Sequence, residues 1–379
     1  MKITNLTTYV VSQQLDGGTS FAYSQAWYNA RTILLLKVET DAGVTGWGEA
    51  FGPAVVHKSI IDNIYAPVVL GRDPFDTEVI WEELYNKLRD HGQKGLNIES
   101  ISAIDIALWD IKGKFAGTPV YKLLGGAPRD RLMPYATGLY RRECADLTAE
   151  LVNEAVRYVE QGYRAIKLKI GFGVEEDLKT IKAVRNAVGG GVLLMVDANH
   201  AYNASLAVRL ARKMEEYDIF WFEEPVPPED IDGYVELRSK TNIPIAGGEA
   251  EFTRYGFYRL LEKRAVDILQ PDCCVTGGIS EFKKIAALAS IHNIQCYPHI
   301  WGSAVALQAG IHCAFALPHF PPSLTPQDVL MEYDRTENIF RDKLSKKPPV
   351  IKDGYVGLPG GAGLGLEIDE ELIERYRIL

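Results

Sequence analysis

Hydrophobic and polar positions follow two different patterns along the chain, and the change falls near residue 130. Before it, apolar strands such as the run at 32–38 are followed by a helix at 97–117, in which Ile101, Ile104 and Leu108 recur at helical spacing. This part contains no repeating strand–helix unit. We therefore predict that residues 1–128 form a separate α+β module.

After Arg131, short β-rich runs alternate with amphipathic helical stretches such as 174–188 and 204–216. A βαβα succession of this kind implies a parallel sheet, and eight runs in about 200 residues favour a closed barrel over an open sheet. We expect the barrel to span 129–334 and a Pro- and Gly-rich tail, 335–379, to return to the first module. The predicted strands are 132–137, 165–170, 192–196, 219–222, 243–246, 266–269, 294–297 and 329–332.

The composition narrows the possible functions. The chain has 379 residues, 47% of them hydrophobic and 24% charged, which is ordinary for a globular protein that buries a large core. Its net charge of −9 argues against nucleic acid and anionic membranes as partners, since both require basic surfaces. The polar N-terminus and the lack of a long apolar run predict no signal peptide and no membrane span. The five cysteines lack the spacing of a zinc site, which favours free thiols and a cytoplasmic location.

Polar residues occur in register at the ends of the predicted barrel strands. They follow one another at intervals of 23 to 33 residues, about one strand–helix unit each time. Because barrel enzymes carry their active site at the carboxyl ends of the strands, we expect these side chains to converge on one mouth. They are Lys169, Asp197, Glu223, Glu249, Asp272, His299 and Glu332.

Alternation along the strand at 165–170 places Lys167 and Lys169 on one face and apolar residues on the other. A lone pair of this kind is most often a solvated edge strand, but a strand inside a parallel sheet is buried on both faces. Both lysines are then expected to point into the barrel. Their mutual repulsion, and that of a nearby cation, is expected to lower the pKa of Lys169 toward the range of a base.

Asp197, Glu223 and Glu249 end three consecutive strands. Each of them alone would be interpreted as a salt-bridged or capping acid. Three carboxylates at one mouth repel each other unless a cation neutralises them, and an oxygen-only ligand set selects a hard ion. We predict a Mg²⁺ site.

His299 would by itself be interpreted as an ordinary core or surface histidine. Asp272 ends the preceding strand and is placed to orient the ring and hold its proton, as in a catalytic histidine–carboxylate pair. Glu332 is expected to face the substrate carboxylate and, if protonated, to donate a hydrogen bond. The alternative interpretation is that Glu332 is a surface acid in a loop beside Asp334.

The chain resembles the mandelate racemase subgroup of the enolase superfamily. The segment 102–114 is similar to a signature of that family, and the barrel motifs match in order: Lys167-x-Lys169, Asp197-Ala198-Asn199, Glu223-Glu224-Pro225, Gly248-Glu249, Asp272 and Pro298-His299. The resemblance implies an N-terminal capping domain, a modified (β/α)7β barrel and a homo-oligomer. It also implies that the three acids bind Mg²⁺, which holds a substrate carboxylate and stabilises the enediolate left by loss of the α-proton.

The same resemblance assigns roles to the remaining strand-end residues. Lys169 is the base on one face of the substrate, with Lys167 as its electrostatic neighbour, and the His299/Asp272 pair is the acid or base on the other. Glu332 stabilises the enolate. Specificity is expected from two loops of the cap, 14–28 and 48–58, and from a few barrel residues. The candidate substrate-binding residues are Tyr23, Trp27, Tyr28, His57, Asn199 and Trp301.

Within the subgroup, the segments 88–96, 171–178 and 331–336 resemble enzymes of acid sugars, above all the galactarolactone cycloisomerases. Branches with a lysine at the sixth strand are disfavoured, because this chain reads Gln270-Pro271-Asp272 there. The leading hypothesis is a Mg²⁺-dependent lyase that dehydrates a sugar acid, a small-molecule carboxylate. Three alternatives stay open: a sugar-acid lactone cycloisomerase, a racemase or epimerase of a 2-hydroxy acid, and a sugar-binding barrel without catalysis.

Overall fold

The computed structural model describes residues 1–320 and 322–379. Its first part holds an antiparallel sheet, a small hairpin and a set of helices, with a π-helical turn at Ile61–Tyr65. The elements are β1 (Ile3–Gln14), β2 (Phe21–Ala22), β3 (Trp27–Tyr28), β4 (Ala30–Thr40), β5 (Thr45–Ala50), α1 (Ala54–Ile60), α2 (Ala66–Val69), α3 (Thr77–Leu88), α4 (Leu96–Phe115) and α5 (Val120–Leu123).

Helix α4 fills the centre of this first part. The sheet has the order β1-β4-β5, and α4 lies across β5 with nearly every one of its side chains buried. Gly46 and Gly48 make this possible, because a Cβ at either position would run into a backbone carbonyl of α4. The helix predicted at 97–117 is therefore the core of an α+β module.

The second part is a barrel in which helices follow the first seven of eight parallel strands. The elements are β6 (Arg131–Thr137), α6 (Leu147–Glu160), β7 (Ala165–Lys169), α7 (Val174–Val188), β8 (Leu193–Asp197), α8 (Ala204–Met214), β9 (Ile219–Glu223), α9 (Ile231–Arg238), β10 (Ile245–Gly247), α10 (Thr253–Glu262), β11 (Ile268–Leu269), α11 (Gly278–His292), β12 (Gln295–Cys296), α12 (Ala304–Ala316) and β13 (Leu330–Asp334).

The strands pair in chain order from β6 to β12, and β13 returns to pair in parallel with β6. This arrangement confirms the predicted modified (β/α)7β barrel. Ile166, Leu168 and Ile170 are buried under the surrounding helices, whereas Lys167 and Lys169 point inward, as alternation predicted. Among the described residues, no helix has both the length and the apolar character needed to cross a membrane.

Buried polar residues of α4 join the first part to the barrel. Asp105 Oδ1 accepts a hydrogen bond from Ser280 Oγ at 2.6 Å, and Trp109 Nε1 donates to the same hydroxyl at 2.9 Å. Ser102 Oγ accepts the backbone N–H of Gly277 at 2.9 Å. These bonds fix α4 against the start of α11, and they give the 102–114 segment a structural role. The first residues of α4 are thereby held over the mouth of the barrel.

The tail contacts both parts. It contains α13 (Ile339–Lys343), β14 (Ile351–Lys352), β15 (Tyr355–Gly357) and α14 (Glu370–Tyr376). Strand β15 pairs antiparallel with the start of β6, and the last residues exchange backbone hydrogen bonds with Val10 of β1. Lys37 of β4 forms an ion pair with Glu370 at 2.8 Å. The division of the chain at residues 128 and 334 stays a prediction.

His312 predicts a pH dependence of stability. It is fully buried on α12, where its Nδ1 accepts the backbone N–H of Tyr121 at 3.1 Å. Burial lowers the pKa of His312 from 6.5 to about 4. The folded protein therefore keeps a neutral ring, and its stability is complete above the unfolded pKa and falls as the pH drops from 6.5 toward 4. The loss attributable to this ring is roughly 3 kcal/mol.

Urea unfolding at pH 7 and at pH 4.5 measures this effect. His312→Gln removes the titrating ring, and it is expected to make the difference between the two pH values smaller than in the parent protein. His91→Gln, at an exposed position, is the matched control and is expected to leave the difference unchanged. An equal acid sensitivity in His312→Gln would contradict the prediction.

Candidate active site

A cavity of about 260 Å³ opens at the carboxyl ends of the barrel strands, beneath the first part of the chain. Two loops, β3 and α4 of that first part supply Tyr23, Phe51, Tyr28 and Glu99. The barrel supplies the remaining lining residues: Tyr140, Lys169, Asn199, His200, Glu249, Ala250, Phe252, Val275, His299, Trp301 and Glu332. Four of the seven predicted strand-end residues therefore line one cavity, at the position where barrel enzymes carry their chemistry. They are Lys169, Glu249, His299 and Glu332.

Three carboxylates at this mouth form a cluster suited to a cation. Asp197 ends β8, Glu223 ends β9 and Glu249 follows β10, and one oxygen of each lies within 4.8 Å of the others. Asp197 and Glu223 are fully buried, and Glu249 Oε2 is buried without a hydrogen-bond partner. Buried acids of like charge repel unless a cation neutralises them, and three carboxylate oxygens suit a hard divalent ion. The residues therefore fit a divalent metal.

The two lysines of β7 point at these acids. Lys169 Nζ donates to Asp197 Oδ2 at 2.5 Å and to Asn199 Oδ1 at 2.9 Å. Lys167 Nζ is 2.5 Å from Glu223 and 2.8 Å from Glu332. Burial acts to lower the pKa of Lys169, but the Asp197 carboxylate outweighs it and the pKa rises above its ordinary value. The predicted lowering was wrong, because strand alternation does not reveal which acid contacts the ammonium.

His299 and Asp272 form the expected pair. His299 Nδ1 is 2.7 Å from Asp272 Oδ2, while Asp272 Oδ1 accepts the backbone N–H of Cys274 at 2.6 Å. This contact fixes the ring and turns Nε2 toward Glu249, at 3.4 Å, and Glu332, at 3.7 Å. Burial acts to lower the pKa of His299, but the surrounding carboxylates outweigh it and raise the pKa to about 10. This shift favours the positively charged imidazolium form of the ring at neutral pH.

Glu332 lies inside the barrel, which excludes a surface loop position. Thr137 Oγ1 donates to its Oε1 at 2.5 Å, and the backbone N–H of Ile300 donates to its Oε2 at 3.0 Å. Burial acts to raise the pKa of Glu332, but Lys167 and His299 outweigh it and hold the pKa at about 2. The predicted role of a protonated donor was wrong, because Glu332 is ionised and both of its oxygens accept hydrogen bonds.

Of the predicted substrate-binding residues, Tyr23, Tyr28, Asn199 and Trp301 line the cavity, and Trp27 does not. Strands β2 and β3 form a two-residue hairpin, in which neighbouring side chains point to opposite faces. Tyr28 packs against Trp301 with ring centroids 5.1 Å apart, so Trp27 faces outward and is 45% exposed.

His57 was also expected near the mouth, but it does not line the cavity. It is fully buried on α1, with Nε2 2.7 Å from the carbonyl oxygen of Phe51 and Nδ1 3.1 Å from Ser100 Oγ. Its Nε2 also lies 3.1 Å from Glu99 Oε2. Glu99, from the first turn of α4, lies at the cavity wall, and His57 contacts it from behind.

The sequence analysis missed three polar lining residues: Glu99, Tyr140 and His200. Tyr140 follows β6, and extending the strand-end register back by one strand would have found it. His200 follows Asp197 by three residues and has a left-handed backbone, φ 67°, with Nε2 3.0 Å from the buried Glu224. Nothing in the barrel pattern points to Glu99, because it comes from another part of the chain.

Comparison with known proteins agrees with this geometry. Residues 6–125 match the mandelate racemase / muconate lactonizing enzyme N-terminal domain, and residues 150–372 match the enolase C-terminal domain-like family. The chain is 43% identical to D-galactarolactone cycloisomerase of Agrobacterium fabrum, covering 100% of this chain and 99% of that protein. It is 37% identical to arabinonate dehydratase of Saccharolobus solfataricus, over 91% of this chain and 90% of the relative.

A solved structure resembles the whole chain. The 3,6-anhydro-D-galactonate cycloisomerase from Zobellia galactanivorans has a TM-score of 0.90 and 44% identity, with 100% of both chains covered. The two matched regions take up most of the chain, and they include both the α4 segment and the strand-end residues. The protein therefore belongs to the mandelate racemase / muconate lactonizing enzyme family of the enolase superfamily.

Proposed function

We propose that this protein removes the proton next to the carboxylate of a sugar acid and expels an oxygen substituent from the neighbouring carbon. The observation that carries the proposal is the presence of two proton carriers, Lys169 and His299, in one cavity that Glu249 of the acid cluster also lines. Binding alone would not require both. When the expelled oxygen is a hydroxyl group, the reaction is a dehydration, which is our leading assignment.

Asp197, Glu223 and Glu249 would hold a divalent ion, and we propose Mg²⁺. A bound ion would supply positive charge to the substrate carboxylate, and it would compete with Lys169 for Asp197. Lys167 adds a fixed positive charge, which its ion pairs with Glu223 and Glu332 keep in place. Ser24 Oγ donates to the carbonyl of Ala198 at 2.8 Å and holds the loop of the cap over the mouth.

The proton transfers are assigned by geometry. Lys169 Nζ takes the α-proton, since it lies at the cavity beside the acid cluster, and an ion bound to Asp197 would remove the contact that raises its pKa. His299 Nε2 gives its proton to the leaving oxygen, because Asp272 accepts the Nδ1 proton and leaves Nε2 on the side of the cavity. A base and an acid on separate side chains are what elimination requires.

A second candidate is ring opening of a sugar-acid lactone or anhydro sugar, in which the leaving oxygen belongs to a ring. It is favoured by the names of the two relatives at 43% and 44% identity, both cycloisomerases. The same two proton carriers serve both reactions.

We also retain a cytoplasmic location, consistent with five free cysteines, and a homo-oligomer as predictions.

A screen of aldonic, aldaric and uronic acids and their lactones, with Mg²⁺ present, tests the function. Dehydration gives a product that has lost one water molecule, and ring opening gives a product that has lost a ring. A racemase would instead return substrate of inverted configuration carrying deuterium from D₂O. No turnover and no α-proton exchange with any of these acids would contradict the proposal, and would leave a sugar-binding barrel as the remaining reading.

Removal of the metal gives a separate prediction. Chelation with EDTA is expected to abolish turnover, and added Mg²⁺ is expected to restore it and to raise the melting temperature. Glu249→Gln should lose the Mg²⁺-dependent rise in melting temperature, whereas Glu236→Gln, at an exposed position on α9, should keep it. An equal rise in both variants would place the ion elsewhere.

A further inference from the structure

The side chains that can carry positive charge in the cavity already have acidic partners from the chain itself. Lys169 is 2.5 Å from Asp197, and His299 is 2.7 Å from Asp272. His200 is 3.0 Å from Glu224. Arg31 lies close by, but it is buried behind Trp301, 3.9 Å from that ring centroid, and is paired with Asp334. Within residues 1–320 and 322–379, the cavity thus offers no spare cation.

Glu99 adds an acid to the wall that the cap supplies. Its side chain is only 9% exposed, and its Oε2 has no hydrogen-bond partner among the described residues. His57 lies 3.1 Å away, but its Nε2 is nearer the Phe51 carbonyl oxygen, at 2.7 Å. Gly52 leaves room for the carboxylate, because a Cβ there would come within 3.2 Å of Oε2. An acceptor of this kind is satisfied when a ligand hydroxyl group or a water molecule donates to it.

We propose that the cavity selects a sugar acid with a single carboxylate, whose hydroxyl group donates to Glu99, and rejects the corresponding dicarboxylate. This inference rests on the proposed function and names its substrate class. The acid cluster with a bound ion would hold the first carboxylate. A second carboxylate would enter a cavity without a free cation and would meet Glu99, Glu249 and Glu332.

Physical chemistry supports discrimination by charge. A buried charge without a partner loses its hydration and gains nothing in return, whereas a neutral hydroxyl group next to Glu99 satisfies both groups. Specificity of this kind arises from a repulsive element as much as from an attractive one. Aldonic acids, their anhydro derivatives and the lactones of aldaric acids each carry one carboxylate, so all of them belong to the accepted class.

The test compares each aldonate with the aldarate of the same configuration, using the intact enzyme with Mg²⁺. We expect kcat/KM to favour the monocarboxylate by about 100-fold or more. Glu99→Gln removes the charge at constant size, and it is expected to reduce this ratio by about 10-fold or more. Glu143→Gln, at an exposed position, is the matched control and should leave the ratio unchanged.

Exchange of the α-proton in D₂O distinguishes a failure of the proposed function from a failure of the proposed selectivity for one carboxylate. If no sugar acid exchanges, the proposed function fails. If exchange occurs but the aldarate is used as well as the aldonate, the function stands and the inference is overturned. An unchanged ratio in folded Glu99→Gln likewise overturns the role of Glu99, and should that variant not fold, the ratio measured on the parent enzyme decides alone.

Discussion

Lys169→Met is expected to lower kcat for the best sugar acid by about 1,000-fold or more, since a positioned base contributes about 100- to 10,000-fold. Lys169 lines the cavity, and its Nζ lies 2.5 Å from Asp197 Oδ2 of the acid cluster. Methionine keeps the length of the side chain and removes the proton-accepting atom. Steady-state kinetics and α-proton exchange in D₂O measure the loss.

Lys179→Met on α7 is the matched control, because that lysine is exposed. Both variants should be compared with Mg²⁺ present, since removing the ammonium leaves Asp197 as a buried charge without its partner. A melting temperature close to that of the parent would show that the fold survives. If Lys169→Met kept more than about a tenth of the activity, the base would have to be another group.

Asp272→Asn is expected to have the second largest effect, a fall in kcat of about 100- to 10,000-fold with the fold preserved. The Asp272 carboxylate accepts the Nδ1 proton of His299, with Nδ1 and Oδ2 2.7 Å apart, and its negative charge helps to keep the ring positively charged. An amide of the same shape removes the negative charge. The pKa of His299 should then fall, and the proton for the leaving oxygen should be lost at a lower pH.

The pH profile of kcat distinguishes this role from simple support of the fold. With Asp272→Asn, the alkaline limb should move to lower pH, in addition to the general loss of rate. Asp130→Asn at an exposed position should change neither. A variant with normal kcat and a normal profile would show that the His299/Asp272 contact is structural and that the acid lies elsewhere.

Much of the barrel could be predicted from the sequence, because its signals are local. Alternation in the strand at 165–170 pointed both lysines inward, and a polar residue at each strand end placed Asp197, Glu223 and Glu249 at one mouth. A regular strand–helix repeat converts spacing along the chain into position in space. That rule holds for residues on the barrel and for no others.

The residues that were missed or misplaced depend on contacts between distant parts of the chain. Glu99 reaches the cavity because α4 is fixed to α11, more than 170 residues away. Trp27 faces outward because its hairpin is only two residues long, and His57 is held behind Glu99 by Phe51 and Ser100. The spacing of residues along the sequence does not reveal which of these distant segments come into contact.

The sequence by itself determined the order of the elements, the strand-end register and the chemical types at the mouth, because each follows from local periodicity. Only the tertiary structure decided how the charges pair. Lys169 contacts Asp197, which shifts the pKa of Lys169 against the predicted direction. Glu332 accepts hydrogen bonds from Ile300 and Thr137 as an ionised carboxylate. A pKa depends on which charge lies within a few ångströms, and that distance exists only once the chain has folded.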